Sequence, residues 1–413
     1  MKVAMVSEHA SPLAVLGGVD AGGQNVHVAE LSAAIARGGH DLTVYTRRDD
    51  PHSPERVTTP QGYTVVHVPA GPPRQLPKGT LLKYMGAFAQ YLDAQWSDDR
   101  PDVTHAHFWL SGIAAQLAAR GSQVPTVQTF HALDVGTHRY QGDHDTSPSA
   151  RLKLETLVAK HATWIAATCT DQLFELMRLR RSKTRMSVVP CGVDLTAFNT
   201  EGPVAQRSDR PRIVGVGRLL PRKGFDTVIE ALPAIPDAEY VIVGGPDPQN
   251  LNKNPEVRRL RALAAERGVA ERVKFTGAVA RAEMPAMLRS ADVVTCTPWY
   301  EPFGIVPLEA MACGVPVIAS AVGGMLDIIV HDVTGRLVAP RRPRALAEAV
   351  STVLRDGFLR RSLGLAGRDR ACARYSWDRI AADTLRIYDR VVSARARHLP
   401  MPTDLGQPTI QSG

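Results

Sequence analysis

Short apolar segments alternate with amphipathic segments along almost the whole chain. In the first half, the apolar segments predict strands at 2–8, 42–47, 63–69, 102–108, 125–131 and 164–169. The segments between them place apolar residues at helical spacing and predict helices at 23–37, 80–96, 111–120, 149–161 and 170–180. Continuously apolar strands that alternate with helices are typical of a parallel sheet covered on both faces.

A polar segment at 199–211, rich in turn-forming residues, predicts a linker. The alternation then resumes, with strands predicted at 212–218, 240–245, 273–277, 293–298, 316–321 and 335–340. Helices are predicted at 224–233, 255–267, 281–290 and 306–313. A long amphipathic helix follows at 377–398, and the polar residues 399–413 predict a disordered tail. The pattern predicts an α/β protein of two doubly wound, Rossmann-like domains, 1–198 and 212–376, with ligands in the cleft between them.

Composition and charge narrow the class of protein. The chain has 413 residues, of which 44% are hydrophobic and 22% are charged, as in a soluble globular protein. Its net charge of +8 is scattered and accompanies no nucleic-acid recognition motif, which favours small anionic ligands over nucleic acid. The chain starts directly with a predicted strand and has no apolar run long enough to span a bilayer. Its five dispersed cysteines form no CxxC pair, so we expect reduced thiols and a cytoplasmic location.

The segment 301–309, EPFGIVPLE, follows a predicted strand and opens a helix. Glu301 and Glu309 flank Gly304 at the helix start, so both carboxylates can face the cleft with backbone N–H groups between them. This arrangement fits a ligand whose hydroxyl groups bind the carboxylates while an anionic centre meets the helix N-terminus. The alternative is one glutamate that complements the helix dipole and another that is only solvated.

The segment 215–226, GVGRLLPRKGFD, places two cations beside a strand end. Arg218 ends the predicted strand and Lys223 follows in the loop before the next helix. Two such charges can stabilise a diphosphate leaving group as its bond breaks. The alternative is a pair of solvated loop cations.

Histidines are dense in the first half. His131 ends a predicted strand and points into the same cleft, where it can act as a base, as a donor to a sugar or as a structural residue. Four further histidines lack a ligand spacing such as HExxH, so we predict no metal site from His105, His107, His138 and His144.

Together these segments resemble the retaining glycosyltransferases of family 4. The resemblance rests on five segments in the same order and spacing: GGVDAGGQNVHVAELSAAIARGGHDLTVYTR, FHAL, VVPCGVD, GVGRLLPRKGFD and EPFGIVPLEAMACGVPVIASAVGG. The chain is most similar to the subgroup of sucrose-phosphate synthases and mycothiol-pathway inositol-phosphate N-acetylglucosaminyltransferases. The resemblance implies the GT-B fold, with two Rossmann-like domains facing an interdomain cleft and helix 377–398 crossing back to the first domain.

The resemblance also implies a nucleotide-sugar donor, usually a UDP-sugar, bound without an obligatory metal or other cofactor. Arg218 and Lys223 match the family's diphosphate-binding pair. Glu301 matches the residue that contacts the donor-sugar hydroxyls, and Glu309 the residue that binds the ribose. His131 matches the histidine near the reacting sugar carbon. Backbone groups also line the donor at Phe303, Gly304 and Ile305.

In such a retaining mechanism, the acceptor hydroxyl approaches the face from which UDP departs. The departing β-phosphate takes the proton, so no dedicated side-chain base is needed. The residues expected to act in catalysis are Arg218, Lys223, His131 and Glu301.

Glycines between the first strand and the first helix form a loop at 16–23. Taken alone, this glycine pattern is compatible with three structures: a loop that binds phosphate, a lid over a substrate, or a turn that only needs the conformational freedom of glycine. Within the family we expect a lid over both substrates. Gly22 and Gly23 would let the backbone approach the acceptor and the donor phosphates, and Asp20 would face the acceptor.

The acceptor is expected to lie against the first domain. Lys78 lines up approximately with a phosphate-contacting lysine of the inositol-phosphate enzyme, which favours inositol phosphate or a sugar phosphate. The alternative is a loop lysine that precedes a helix and contacts no ligand. Acidic residues after HAL, where the subgroup is basic, favour an uncharged or cationic acceptor instead. Our main hypothesis is therefore an aminocyclitol or aminoglycoside intermediate of antibiotic biosynthesis, with the phosphorylated acceptors as the alternative. The residues expected at the acceptor are Glu8, Asp20, Gly22, Lys78, His131 and Asp134.

Two functions of other classes compete with glycosyl transfer. A nucleotide-sugar epimerase of GT-B fold would carry a different carboxylate set around the reacting carbon. A non-catalytic binding protein would not need the complete set of Arg218, Lys223, Glu301 and Glu309, so the set favours an enzyme.

Overall fold

The computed structural model describes residues 1–14, 22–133, 150–179 and 185–396. The first unit is a sheet with the strand order β3-β4-β2-β1-β5-β6-β7-β8, in which β3 pairs antiparallel with β4 and all other pairs are parallel. Its strands are β1 (Lys2–Val6), β2 (Asp41–Arg47), β3 (Arg56–Thr58), β4 (Thr64–Val68), β5 (Val103–His107), β6 (Thr126–Thr129), β7 (Trp164–Ala167) and β8 (Met186–Val188). Its α-helices are α1 (Gly23–Arg37), α2 (Met85–Asp98), α3 (Trp109–Ser122), α4 (Arg151–His161) and α5 (Thr170–Arg178).

The second unit is a fully parallel sheet with the order β11-β10-β9-β12-β13-β14. Its strands are β9 (Arg212–Val216), β10 (Glu239–Val243), β11 (Val273–Gly277), β12 (Val293–Cys296), β13 (Val317–Ser320) and β14 (Arg336–Val338). The helices that follow are α6 (Phe225–Ala231), α7 (Pro255–Glu266), α8 (Met284–Arg289), α9 (Ile305–Ala312), α10 (Met325–Ile328), α11 (Pro343–Arg355), α12 (Gly357–Arg374) and α13 (Trp377–Ala396).

The α/β class and the two Rossmann-like units confirm the fold expected from the alternating pattern. The apolar central strands are buried because helices cover both faces of each sheet. The structure adds strands β3 and β8 and helices α10, α11 and α12, which the pattern did not identify. Strand β3 has no buried residue, so its sequence carries no strand periodicity.

Two connections join the units. Residues 199–211 contain no helix or strand, and Arg289 donates hydrogen bonds to their Asn199 and Pro203 carbonyls. Helix α13 returns to pack on α1, where Arg37 Nη2 lies 2.8 Å from Asp378 Oδ1. The exact domain boundaries stay a prediction. Among the described helices, none is long and apolar enough to cross a membrane.

Candidate functional site

A cavity of about 900 Å³ lies between the two units, at the carboxyl ends of their central strands. The loops after β1 and β6 line it on one side, and those after β9, β10 and β12 line it on the other. This is where doubly wound sheets bind ligands, because backbone groups and helix N-termini converge at that edge.

The two predicted cations lie on adjoining turns of the second unit. Arg218 follows β9, and Lys223 ends a 3₁₀ turn that leads into α6. Gly224 comes next in a left-handed conformation (φ +71°), and a Cβ there would lie 1.9 Å from the Thr297 carbonyl oxygen. Only glycine lets this turn pack so closely against the segment after β12. That packing brings Lys223 to the glutamate motif.

Glu301 forms an ion pair with Lys223, whose Nζ lies 2.5 Å from Glu301 Oε2. Burial alone would raise the pKa of Glu301. The charge and hydrogen bond of Lys223, with Arg222 nearby, outweigh burial and hold the pKa below its ordinary value. The carboxylate is therefore ionised and ready to accept hydrogen bonds from hydroxyl groups.

Glu309 lies in α9, buried, with its carboxylate bonded to Arg281. Burial raises the pKa of Glu309, and the Arg281 charge opposes that shift. Arg281 also places its guanidinium carbon 4.4 Å from the centroid of the Phe198 ring. Both Glu309 and Arg281 line the cavity.

Two of the residues between the glutamates, Phe303 and Ile305, contact the first unit. Gly304 starts α9 in a left-handed conformation (φ +81°), and a Cβ there would lie 2.4 Å from Ile328 Cδ1. Phe303 stacks on His131 with the ring centroids 5.0 Å apart. Ile305 Cδ1 would lie 3.4 Å from a Cβ at Gly23. The glutamate motif therefore forms part of the contact between the units.

His131 lies two residues beyond the end of β6, in a left-handed conformation (φ +62°), so the predicted strand 125–131 was too long. The side chain is buried, and its Nε2 lies 2.8 Å from His107 Nδ1. Burial, reinforced by neighbouring histidines, keeps the pKa of both rings well below the ordinary value. Both imidazoles are therefore neutral.

The structure only partly brings together the residues predicted to bind the acceptor. Gly22, Gly23 and Lys78 line the cavity, as His131 does. Gly22 has an extended conformation (φ −150°) and begins α1, where its N–H donates to Asn25 Oδ1 at 3.0 Å. Several predicted residues lie outside the described parts of the chain: Gly17, Gly18, Asp20, Asp134, His138 and His144.

Glu8 does not line the cavity. The side chain is buried, accepts a hydrogen bond from Ser111 Oγ and lies 2.5 Å from His9 Nδ1. A fully buried carboxylate with both oxygens bonded inside the protein is not accessible to a ligand ammonium group. The placement does not agree with the predicted contact between Glu8 and the acceptor.

Several cavity residues were not identified from the sequence, namely Arg222, Arg281, Trp299 and Tyr300. Arg222 adjoins Lys223, so its position in the same turn was a usable signal. Arg281 follows β11 at the same sheet edge as the motifs, but no local pattern separates it from a solvated arginine. Trp299 contacts Arg341, whose guanidinium carbon lies 4.9 Å from the centroid of the Trp299 ring.

The arrangement suits a ligand with a diphosphate between two hydroxyl-rich ends. Arg218, Arg222 and Lys223 supply positive charge, while Glu301 and Glu309 supply hydrogen-bond acceptors on either side of the α9 N-terminus. Cations and carboxylates therefore line one cavity, and two of them, Lys223 and Glu301, are paired with each other in the absence of a ligand.

Comparisons with known proteins agree with this geometry. The family model Glycosyltransferase Family 4 matches residues 21–197, and Glycosyl transferases group 1 matches residues 199–370. The D-inositol 3-phosphate glycosyltransferase of Xylanimonas cellulosilytica is 36% identical over 95% of this chain and 98% of that protein. The enzyme of the same name from Jonesia denitrificans is 35% identical over 94% of this chain and 96% of that protein.

Among solved structures, the sucrose-phosphate synthase of Thermosynechococcus elongatus is 31% identical, with a TM-score of 0.87 over 95% of this chain and 99% of that one. Anabaena HepE, solved in complex with UDP and glucose, shares the fold at 20% identity, with a TM-score of 0.69 over 96% of this chain and 99% of that one. These likenesses confirm the GT-B architecture. The chain therefore belongs to the group 1 and family 4 glycosyltransferases and is an enzyme of glycosyl transfer.

Proposed function

We propose that the enzyme transfers a sugar from a UDP-sugar to a hydroxyl of a phosphorylated polyol, with inositol phosphate as the first candidate and with retention of anomeric configuration. The observation that carries this proposal is one cavity shared by cations and carboxylates of the second unit and by Lys78 of the first unit. A donor diphosphate and an acceptor phosphate each find positive charge there, on opposite walls.

The donor occupies the second unit in this proposal. Arg218 and Lys223 contact the diphosphate, and Arg222 adds charge from the same turn. Glu301 accepts hydrogen bonds from the sugar hydroxyls, and Glu309 accepts them from the ribose. Because Lys223 is paired with Glu301 in the free protein, donor binding exchanges this ion pair for two ligand contacts.

The transfer step needs no side-chain base. The bond between the sugar C1 and the β-phosphate oxygen breaks, and UDP leaves with the bonding electrons. The acceptor oxygen bonds to C1 on the same face, and its proton passes to the departing phosphate. Arg218 and Lys223 stabilise the negative charge that grows on the phosphate, which is where fixed cations accelerate the step most.

The phosphorylated acceptor replaces our main hypothesis of an aminoglycoside. Of the three carboxylates expected to bind ammonium groups, Glu8 is buried and already bonded, and the other two lie outside the described residues. The two relatives bear the name of an inositol 3-phosphate enzyme, and neither bears an aminoglycoside name. The expectation of antibiotic biosynthesis has no support from these relatives.

An acceptor panel tests the proposal. Purified enzyme is incubated with UDP-N-acetylglucosamine or UDP-glucose and with inositol 1-phosphate, inositol 3-phosphate, fructose 6-phosphate or a paromamine-type aminocyclitol. Unphosphorylated inositol is the matched control for the phosphate. We expect UDP release and an α-linked product with a phosphorylated acceptor, and little turnover with inositol. Preference for the aminocyclitol, or equal turnover with inositol and its phosphates, contradicts the proposal.

Lys78→Met then tests the acceptor phosphate contact. We expect KM for the phosphorylated acceptor to rise about ten- to hundredfold, because a charge-assisted hydrogen bond contributes about 1.5–3 kcal/mol. The KM for the donor should stay unchanged. Lys83→Met, in the same 3₁₀ segment (Lys78–Tyr84) but not among the cavity-lining residues, is the matched control.

A further inference from the structure

A row of five aromatic rings runs from the C-terminal helix to the cleft. Tyr388 of α13 contacts His105 edge-on, with centroids 5.7 Å apart and the phenol oxygen 2.7 Å from His105 Nδ1. The His105 ring lies 4.2 Å from the His107 ring, which lies 5.0 Å from the His131 ring. Phe303 of the second unit continues the row at 5.0 Å from His131.

Hydrogen bonds fix this row from within. His105 is held at both nitrogens, by Tyr388 at Nδ1 and by Thr129 Oγ1 at 2.8 Å from Nε2. His107 Nδ1 and His131 Nε2 lie 2.8 Å apart and share one hydrogen bond. In the described part of the chain, the other nitrogens of this pair, His107 Nε2 and His131 Nδ1, have no hydrogen-bond partner.

The shared bond allows two arrangements of protons, since each neutral imidazole carries one N–H. If His131 donates, the N–H of His107 is Nε2–H, which is fully buried with no acceptor in the described structure. If His107 donates, its own remaining nitrogen is an unprotonated acceptor, and the free N–H belongs to His131. Both orphan nitrogens are buried in the described structure of the free protein, so either arrangement leaves one N–H without a partner. His131 lines the cavity and His107 is not among its lining residues, so the N–H on His131 is the one that an oxygen of a bound ligand can satisfy.

We propose that His107 is a positioning residue that donates its Nδ1–H to His131 Nε2 and thereby keeps the proton of His131 on Nδ1, as a donor for an oxygen of the bound sugar. This inference rests on the proposed function for the identity of the ligand. The tautomer and the bond that sets it are properties of the protein alone. The neighbouring rings of His105 and Phe303 hold the planes of the pair, so the bond sets both the tautomer and the orientation of His131.

Two substitutions at position 107 separate the hydrogen bond from the packing. His107→Phe keeps a ring in the row but removes the donor. His107→Asn places an amide N–H close to where Nδ1–H stood and serves as the conservative variant. We expect His107→Phe to lower kcat for sugar transfer about tenfold with little change in donor KM, and His107→Asn to restore most of kcat. Both variants should unfold at similar temperatures. If His107 had only a structural role, the loss of kcat would instead follow the loss of thermal stability.

Nuclear magnetic resonance of protein labelled with ¹⁵N-histidine reads the tautomer directly, because protonated and bare ring nitrogens resonate far apart. The His131 signal is assigned by its loss in His131→Gln. We expect Nδ1–H in the wild type and in His107→Asn, and a shift toward Nε2–H in His107→Phe. Nε2–H in the wild-type His131, or an unchanged tautomer and kcat in His107→Phe, overturns the proposal.

The readouts separate this inference from the proposed function. If no phosphorylated acceptor is used, the proposed function fails, while the ¹⁵N spectrum of the wild type still decides the tautomer. If His107→Phe does not fold, the wild-type spectrum and the comparison with His107→Asn decide it.

Discussion

Lys223 Nζ and Glu301 Oε2, from two different loops of the second unit, are 2.5 Å apart across the floor of the cleft. In the proposed complex the two charges bind different parts of the donor: Lys223 contacts the diphosphate and Glu301 contacts the sugar hydroxyls. Without a donor, each charge satisfies the other, so neither is left uncompensated in a half-buried site. The ion pair therefore keeps both charged side chains in position in the protein without a ligand.

Lys223→Met should lower kcat about a hundredfold or more, because the growing charge on the leaving phosphate loses a fixed cation. Steady-state assay of UDP release at saturating donor measures this change. Lys153→Met, at an exposed position in α4, is the matched control and should retain wild-type turnover. Near-normal turnover of Lys223→Met would count against the role of this residue in transfer.

Arg281→Met should make donor binding more sensitive to acid. Burial already raises the pKa of Glu309, and removing the Arg281 charge raises that pKa further. The carboxylate then takes up a proton at higher pH, so KM for the donor should begin to rise at a higher pH than in the wild type as the pH falls. Donor KM measured from about pH 5 to about pH 8, the range in which proteins are usually most stable, checks the shift.

Arg281→Lys keeps the charge and is the conservative variant, and Arg258→Met, on the exposed surface of α7, is the control for loss of an arginine. Both should follow the wild-type profile more closely than Arg281→Met does. An identical pH profile for Arg281→Met and the wild type would show that Glu309 is not controlled by this arginine.

Gly224→Ala should destabilise the protein by about 3 kcal/mol or more. The new Cβ would collide with the Thr297 carbonyl at 1.9 Å, and the left-handed conformation disfavours alanine in any case. Gly86→Ala is the matched control, because Gly86 lies in the first turn of α2 and a methyl group added there would meet nothing within 4 Å. This control should leave the stability unchanged or raise it by up to about 1 kcal/mol. Urea unfolding followed by circular dichroism gives both values, and equal stabilities would refute the steric argument.

Asp327→Ala should weaken the contact between the units. Asp327 Oδ2 accepts a hydrogen bond from the Thr170 N–H at 2.6 Å, so a carboxylate of the second unit sits at the N-terminus of α5 in the first. Losing it should cost about 1 kcal/mol in the free energy of unfolding and increase the radius of gyration in X-ray scattering. Asp369→Ala, at an exposed position in α12, should change neither quantity. Unchanged scattering and stability for Asp327→Ala would show that this hydrogen bond does not help to hold the units together.

Local patterns in the sequence were sufficient for the architecture. The alternation of apolar strands and amphipathic helices shows, for each element, which of its faces is buried. Both sheets and most helices could be predicted from it. The motif residues Arg218, Lys223, Glu301 and Glu309 all line the cavity, because each lies in a loop after a strand or in the first two turns of a helix at the same sheet edge. Such residues are identified by their place along the chain, and the fold then brings the sheet edges together.

What only the tertiary structure decided is which side chains meet. Three hydrogen bonds illustrate this, since they link residues that are 28, 24 and 103 positions apart. The pairs are Arg281 with Glu309, His107 with His131, and Ser111 with Glu8. These contacts depend on the packing of whole elements against one another, which a periodicity of two or 3.6 residues does not encode. The sequence by itself determined the two sheets and the charges placed at their edges. The packing of the units decided which of those charges face a ligand and which are already paired, because burial and pairing are set by neighbours distant in sequence.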